Sequence, residues 1–558
     1  MRRFASLVTF SAAAAEARGL RLMRRSLLLA SLLVLVAGAA APADGRRTTS
    51  PGPTGATFVF TGHGWGHGVG MSQYGAYGYA QHGFGYAKIV AHYFPGTELG
   101  AAPVTRVRVL LASGMAKLKI GSTDDFTVRD SAGETHDVAA GMYTLTPALK
   151  LRLLGQDKAT ALPGPVTFLP GPSPLALTRR YRGSIQVDVT NGKLRAINVV
   201  GLEQYLYGVV PSEMPFSWHS EALKAQAVVA RSYALAVRKT GPFDLYPDTR
   251  SQVYLGLDHE RPATSAAVDA TAGKVVLYDG QVAKTYFFSS SGGRTASSQD
   301  VWGTAVPYLV SVPDPYDSVS PYHDWGPFAF TGAKLGRVLR APGRLIDIQP
   351  ELNSSGRVSS LTVVGTNGSV AVAAGNLRRR LGLRSTWFSV GVLSLTAPPA
   401  TVVYGSSTRL SGLARGLGEV SLQQRSTSGW QDVARVAATK DGRVNLRIKP
   451  TATTQYRLAS GKVAAAAVRV PVAPLVRLYP PRTQDELRGY MRPILPGSPA
   501  SIQRQTGTSW TTVARATIAD SGTFAAKLRL VDGTYRARVA PGHGFVAGTT
   551  PILQVSSS

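Results

Sequence analysis

No cysteine occurs in the 558 residues. Its absence excludes disulfides, thiolate metal sites and a thiol nucleophile, and leaves stability to core burial. Acidic residues are scarce, at 32 against 61 lysines and arginines, a formal net charge of +29. Long apolar runs are absent beyond Leu27–Ala40, and that one is too short to span a membrane. There is no G-x-S-x-G elbow, so a serine-hydrolase site is not indicated. No strand–turn–helix unit with a later acid surrounds the glycine-rich segment, which excludes a dinucleotide site there.

What is present begins with an export signal. Arg24 and Arg25 precede the apolar run, and Ala41-Pro42-Ala43 offers an A-x-A cleavage site. Residues 1–43 therefore read as a signal peptide, with Met23 as an alternative start. If uncleaved, the signal is the chain's only expected membrane connection. Removing it takes away six arginines and one glutamate and leaves +24. That balance favours anionic partners. For an exported chain the expected anions are wall polymers, not nucleic acid. An arginine-rich composition also makes many surfaces basic without a dedicated ligand, so charge alone leaves both readings open.

Composition and periodicity divide the remainder. Residues 44–55 read as a linker. Residues 104–200 alternate apolar and polar positions between turn residues, as in Val104–Leu111, Leu149–Leu154 and Ser184–Val189, and predict strands. Over 218–238 the period changes. Leu223, Ala227, Ala230, Ala234 and Val237 share one helical stripe, Ser217 is a candidate N-cap and Gly241 follows the end. A second helix is expected over 262–272, then strands at Lys274–Tyr278 and Val282–Phe288. The C-terminal part repeats. Residues 420–435 match 500–515, and Trp430, Gly442 and Tyr456 correspond to Trp510, Gly522 and Tyr535 at offsets of 80, 80 and 79. Each copy suits a small β-sandwich. Its tryptophan is expected to be a core anchor, with a sugar platform as the lesser reading. The expected fold is α+β: a mixed, strand-rich domain with a central helix over 56–395, then two Ig-like repeats over 396–474 and 475–558.

Three segments can carry chemistry. T-G-H-G-W-G-H-G-V-G-M-S-Q-Y-G-A at 61–76 has glycine at every second position from 62 to 70. This pattern lets backbone N–H groups approach a ligand. His63 and His67 lack a third ligand nearby, and a sugar- or acetamide-contacting loop fits better than zinc. Around Glu213, Pro211 and Pro215 bracket one carboxylate ahead of the helix. A general acid working at neutral pH needs a raised pKa. The helix start lowers it, so desolvation by Met214, Phe216 and Trp218 has to win. The alternative is a cap or salt bridge. F-F-S-S-S-G-G-R-T at 287–295 reads as a hydroxyl-rich turn, either sugar-binding or structural.

Together these segments resemble the SpoIID/LytB family, the stage II sporulation protein D and amidase enhancer group. The resemblance rests on 198–215, 221–235, S-Q-V-Y-L-G at 251–256, S-S-G-G-R-T at 290–295, G-H-G-V-G-M-S-Q-Y-G-A at 66–76, A-H-Y-F-P-G-T at 91–97 and G-L-R-S-T-W-F at 382–388. It implies one of two activities. One is lytic transglycosylase cleavage of peptidoglycan glycan strands, with Glu213 as the catalytic acid. The other is non-catalytic enhancement of a partner N-acetylmuramoyl-L-alanine amidase. Two departures from the family matter. The glycine–histidine segment precedes the Glu segment here, so residues 56–97 are expected to fold back beside 218–238. Thr249-Arg250-Ser251 stands where some members hold zinc through His and Cys, so the family's metal is not carried over and no cofactor is expected. Expected glycan contacts are His63, His67, Ser72, Gln73, Tyr74, Ser291 and Thr295. Lys224 and Arg231 are candidates for the lactyl carboxylate, and Glu203 is a second nearby acid. The expected location is secreted and wall-associated.

Overall fold

The computed structural model describes residues 55–556. The expected signal peptide, and the expected linker apart from Gly55, lie outside the described residues. Among the described residues no helix is long and apolar enough to cross a membrane. The architecture is a strand-rich mixture of helices and small sheets.

The apolar run at Thr57–His63 forms a strand with Phe58 and Phe60 fully buried. It lies between Asp324–Thr331 and Phe388–Thr396, antiparallel to both. The N-terminal segment is thus built into the body of the fold. The glycine-rich loop follows. Gly70 has φ +79°, and a Cβ there would lie 2.1 Å from the carbonyl oxygen of Tyr286. Trp65 and Ser290 exchange backbone hydrogen bonds of 2.7 and 3.0 Å, and Ala296 N–H donates to the Gly68 carbonyl at 2.7 Å. Met71–Ser72 runs parallel to Phe287–Phe288. The glycines expected to admit a ligand instead admit the chain itself: Gly64, Gly66 and Gly70 face Tyr286–Ser291, Gly62 faces Trp325 and Trp387, and Gly68 faces the Arg357 guanidinium.

Asp317 closes this junction. Its carboxylate accepts hydrogen bonds from Ser72 Oγ (2.9 Å), Ser290 Oγ (2.8 Å), Ser291 N–H (2.8 Å) and Gly292 N–H (2.8 Å), and contacts His323 Nδ1 at 3.1 Å. Ser72 also accepts from Gly75 N–H at 3.1 Å, which caps helix α1, Gln73–Gln81. Helix α2, Tyr86–Tyr93, follows.

Of the strands expected at 104–200, those near Val104–Leu111 and Ser184–Val189 join a six-stranded antiparallel sheet in the order Arg106–Met115, Lys193–Gly201, Ser184–Thr190, Val166–Leu169, Phe126–Arg129, Thr135–Val138, whereas Leu149–Leu154 yields Lys150–Arg152, paired only with Ala159–Ala161. Ile185 and Val187 are buried and their neighbours less so, as alternation requires. This core packs on helix α3, Leu202–Glu213. The sequence pattern predicts that Pro211 and Pro215 bracket Glu213 ahead of a helix, not that residues 202–213 are themselves helical. Tyr205, Leu206, Val209 and Val210 nevertheless make one buried helical face, and a proline in the last turn removes only one intrahelical bond.

Helix α4, Ser220–Ala236, matches its expected position. Its cap is His219, whose Nδ1 accepts Glu221 N–H at 3.2 Å, not Ser217. Small residues Ala227, Ala230 and Ala234 face the strand core, while Leu223, Val228 and Val229 face α1 and α2. The segment before residue 97 therefore does lie against this helix. Helix α5 is Pro262–Asp269, shorter than expected. The strand expected at Val282–Phe288 survives only as Gln281–Val282 and Phe287–Phe288.

Strand Phe388–Thr396 runs across the expected 395/396 boundary. Phe388, Val390 and Val392 belong to one core, and Leu393 and Leu395 to the next. Two C-terminal cores follow, over 393–472 and 476–555. The repeat extends to its irregularities, with a bulge between Leu422 and Gln423 and another between Ile502 and Gln503. Trp430 and Trp510 are not core anchors. Leu422, Tyr456 and Leu458 fill the inward positions of the first unit, and both tryptophans are half-buried outside the cores.

Asp317→Ala leaves four buried donors without their acceptor. It should lower unfolding free energy by about 3–5 kcal/mol, read by urea denaturation. An unchanged midpoint would mean the donors find other partners.

Candidate active site

Glu213 ends α3, and its position reverses the expected electrostatics. A helix C-terminus carries partial negative charge and disfavours a carboxylate, whereas the expected helix start would have favoured one. Burial raises the Glu213 pKa from the usual 4.5 to about 7, opposed by a hydrogen bond from the backbone of Val253. No charged side chain contributes to this shift. The residue as a whole is partly exposed, while its carboxyl is desolvated.

The desolvating walls are not those expected. Phe216 is 53% exposed and Trp218 half-buried; only Met214, at 1% exposure, is in the core. The close neighbours are Tyr205 and Tyr233. Burial raises both phenol pKa values, Tyr233 to about 12, and the nearby Glu213 charge pushes in the same direction. Both rings stay protonated at neutral pH. Tyr205 Oη donates to Gln252 Oε1 (3.2 Å), and Gln252 Nε2 donates to the Ala230 carbonyl of α4 (3.3 Å). Tyr254 Oη donates to Asn198 Oδ1 at 2.9 Å. The Ser251–Tyr254 segment is thus pinned on both sides, which holds Val253 N–H under Glu213.

The structure gathers some expected site residues and separates others. Gln73 is buried, and its Nε2 donates to the Glu213 carbonyl at 3.1 Å; it positions the acid instead of contacting a ligand. Tyr74 is half-buried with its ring 4.7 Å from Trp218. His67 lies one layer further away. Its ring is 6.0 Å from Tyr286, which is 5.6 Å from Tyr233. Burial, then Arg378 and Arg357, lower its pKa to about 3, so it is neutral. His63 sits elsewhere, with Nδ1 2.6 Å from Asp324 and its ring on Trp387.

Four expected contacts are corrected by burial. Ser72, Ser291 and Thr295 are at most 0% exposed. Ser72 and the Ser291 backbone bind Asp317, and Thr295 Oγ1 accepts Val312 N–H at 2.8 Å. Arg231 is also fully buried. It forks onto Glu203 and donates to the Lys274 carbonyl at 2.9 Å. Glu203 also accepts Gly273 N–H at 3.0 Å. The pair ties α3 to α4 and leaves no surface for a lactyl carboxylate. Lys224 pairs with Glu221 at 2.7 Å, and Glu221 accepts Tyr86 N–H at 2.7 Å, which fastens α2 to α4.

Sequence reading missed a row of partly exposed rings. Tyr77 stacks on Trp218 (4.7 Å), Trp218 meets Tyr74, Tyr74 is 6.0 Å from Tyr322, and Tyr322 is 4.4 Å from Trp65. Arg384 lies over Tyr322 and Trp65 at 4.5 and 5.2 Å. Trp65 and Tyr74 were legible inside the glycine segment; Tyr322 carried no signal. A cavity of about 370 Å³ lined by Pro147, Leu149, Leu162 and Pro165 holds none of these residues.

The family model of the stage II sporulation protein SpoIID matches residues 190–278, the stretch carrying α3, α4 and Glu213. Stage II sporulation protein D of Bacillus subtilis is 29% identical over 230 residues, covering 37% of this chain and 64% of that protein. Over these residues the chain is similar to the SpoIID/LytB family. The amidase enhancer of B. subtilis is 46% identical over 113 residues, 20% of this chain and 15% of that protein. An uncharacterized protein of Brachyspira hyodysenteriae is 41% identical over 136 residues, 24% of this chain and 37% of that protein. The chain thus spans from 15% to 64% of the length of these relatives. A two-domain fibronectin type-III segment from chicken tenascin aligns with 29% of the chain at 16% identity and a TM-score of 0.19, too slight a likeness to carry an argument.

The raised Glu213 pKa has a thermodynamic consequence. Between pH 4.5 and about 7 the folded chain keeps this proton and the unfolded chain releases it, so stability falls as pH rises through that window. Glu213→Gln removes the effect. Its stability relative to the parent should rise between pH 4 and pH 8 by up to about 3 kcal/mol, read by urea unfolding at both values. An equal difference at both would mean the carboxyl titrates normally.

Proposed function

We propose that the chain is a peptidoglycan-remodelling lytic transglycosylase with Glu213 as its general acid and base. The observation that carries this reading is a carboxyl held protonated near neutral pH by burial, on a partly exposed residue with no cationic partner among the described residues. A group poised near the working pH is suited to give and retake a proton. Protonated Glu213 protonates the glycosidic oxygen between N-acetylmuramic acid and N-acetylglucosamine. The resulting carboxylate takes the proton of the C6 hydroxyl, whose oxygen closes on C1 to form a 1,6-anhydro ring. Water is not the nucleophile, so the second carboxylate of a hydrolase is not needed. The ring row from Trp218 through Tyr74 and Tyr322 to Trp65 offers apolar faces for sugars. Neutral Tyr233 beside the acid is a donor for the carboxylate that forms when Glu213 gives up its proton.

The second reading is a wall-binding enhancer of a partner amidase, favoured by the 46% identity to the amidase enhancer. The exported, wall-associated location is part of both.

Incubation with peptide-free glycan strands should yield anhydro-muramyl ends by mass spectrometry. Glu213→Gln should lower turnover by about 10²–10⁴-fold. Because the first step needs the protonated acid, kcat/KM should decline as pH rises through about 7. No product from the parent chain, together with stimulation of an added wall amidase, would establish the enhancer instead.

A further inference from the structure

The duplicated C-terminal units carry the same half-buried cluster at their surface. In the first, Arg457 lies over the Trp430 ring at 4.2 Å, and its Nε donates to Gln423 Oε1 at 2.8 Å. In the second, Arg536 lies over Trp510 at 4.1 Å, and its Nε donates to Gln503 Oε1 at 2.8 Å. Gln423 and Gln503 each follow the bulge in their strand. Asp432 receives Gln423 Nε2 at 2.9 Å, which turns the amide oxygen toward Arg457.

This arrangement fixes each guanidinium and leaves its outer edge open. The ring takes one face and the glutamine takes Nε. Among the described residues no protein acceptor meets the Nη atoms of Arg457 or Arg536, and neither arginine has a carboxylate partner. Each has a like charge close by instead, Arg425 for Arg457 and Arg538 for Arg536. Fold stability does not explain two adjacent uncompensated cations built twice, since like charges repel. The surroundings are basic too, with eleven basic against three acidic residues over 396–474 and ten against four over 475–558.

We propose that the Trp430–Arg457–Gln423 and Trp510–Arg536–Gln503 clusters are paired anion forks that bind a phosphodiester-linked wall polymer. A guanidinium with its two Nη groups free matches the two non-bridging oxygens of a phosphodiester. A polymer with one such anion per repeat engages both units at once, and the second contact gains from the first. Peptidoglycan stem peptides fit less well, because their carboxylates lie beside amines that reduce the local charge. The site is separate from Glu213 and does not rest on the transglycosylase reading.

The test uses the full chain and a purified polyol-phosphate polymer, with binding measured by calorimetry across a salt series. Arg457→Gln or Arg536→Gln should each weaken binding about tenfold; the double variant should lose about a hundredfold and show a shallower salt dependence. Arg457→Lys keeps the charge but not the fork, so it should fall nearly as far as Arg457→Gln. Lysine binding as well as arginine, or an undisturbed double variant with parental thermal stability, would overturn the proposal. So would equal retention on walls stripped of phosphate polymer. Release of anhydro-muramyl ends from soluble glycan should be unchanged in all these variants, which separates this outcome from that of the catalytic assignment.

Discussion

The Asp317 carboxylate joins three stretches of chain that are distant in sequence. Its donors come from Ser72, from Ser290 to Gly292, and from His323. A buried carboxylate is costly unless its oxygens are saturated with donors, so this junction has essentially one acceptable arrangement. Its consequence reaches the site directly. With Ser72 fixed, Gln73 reaches the Glu213 carbonyl and Tyr74 meets Trp218. Without that junction only the apolar packing of α1 and α2 on α4 and the Tyr86–Glu221 bond would hold the N-terminal segment there.

Helix α3 holds two acids with opposite treatment. Glu203, in the first turn, is matched by the fully buried Arg231 and by a backbone N–H. Glu213, at the last residue, has tyrosines and one backbone N–H but no cation. Pairing makes the first a structural tie between helices. Desolvation without pairing makes the second a group that exchanges protons near neutrality. Two identical side chains ten positions apart on one helix thus do different work, and the difference lies in what packs against each.

Much of the framework was legible from pattern. The helix at 220–236 followed from its apolar stripe, the strands at 184–190 and 106–115 from alternation, and the internal repeat from its tryptophan and glycine spacing. Other features were misread for physical reasons. Pro211 suggested a loop, yet the buried face of Tyr205, Val209 and Val210 outweighed one missing hydrogen bond. Glycines at 64 to 70 suggested a ligand loop, and the close partners proved to be Tyr286–Ser291 and the Arg357 side chain. Arg231 and Ser291 have the chemistry of ligand contacts, and burial spent it inside the fold.

By itself the sequence determined the class of fold, the family segment around Glu213 and the duplication near the C-terminus, because periodicity and local motifs are properties of neighbouring residues. Only the tertiary structure decided that Glu213 closes a helix instead of preceding one, that Tyr322 joins Trp65 and Tyr74, and that Trp430 and Trp510 face outward under arginines. Each of these depends on which distant segments exclude water from a side chain, and that is settled by packing.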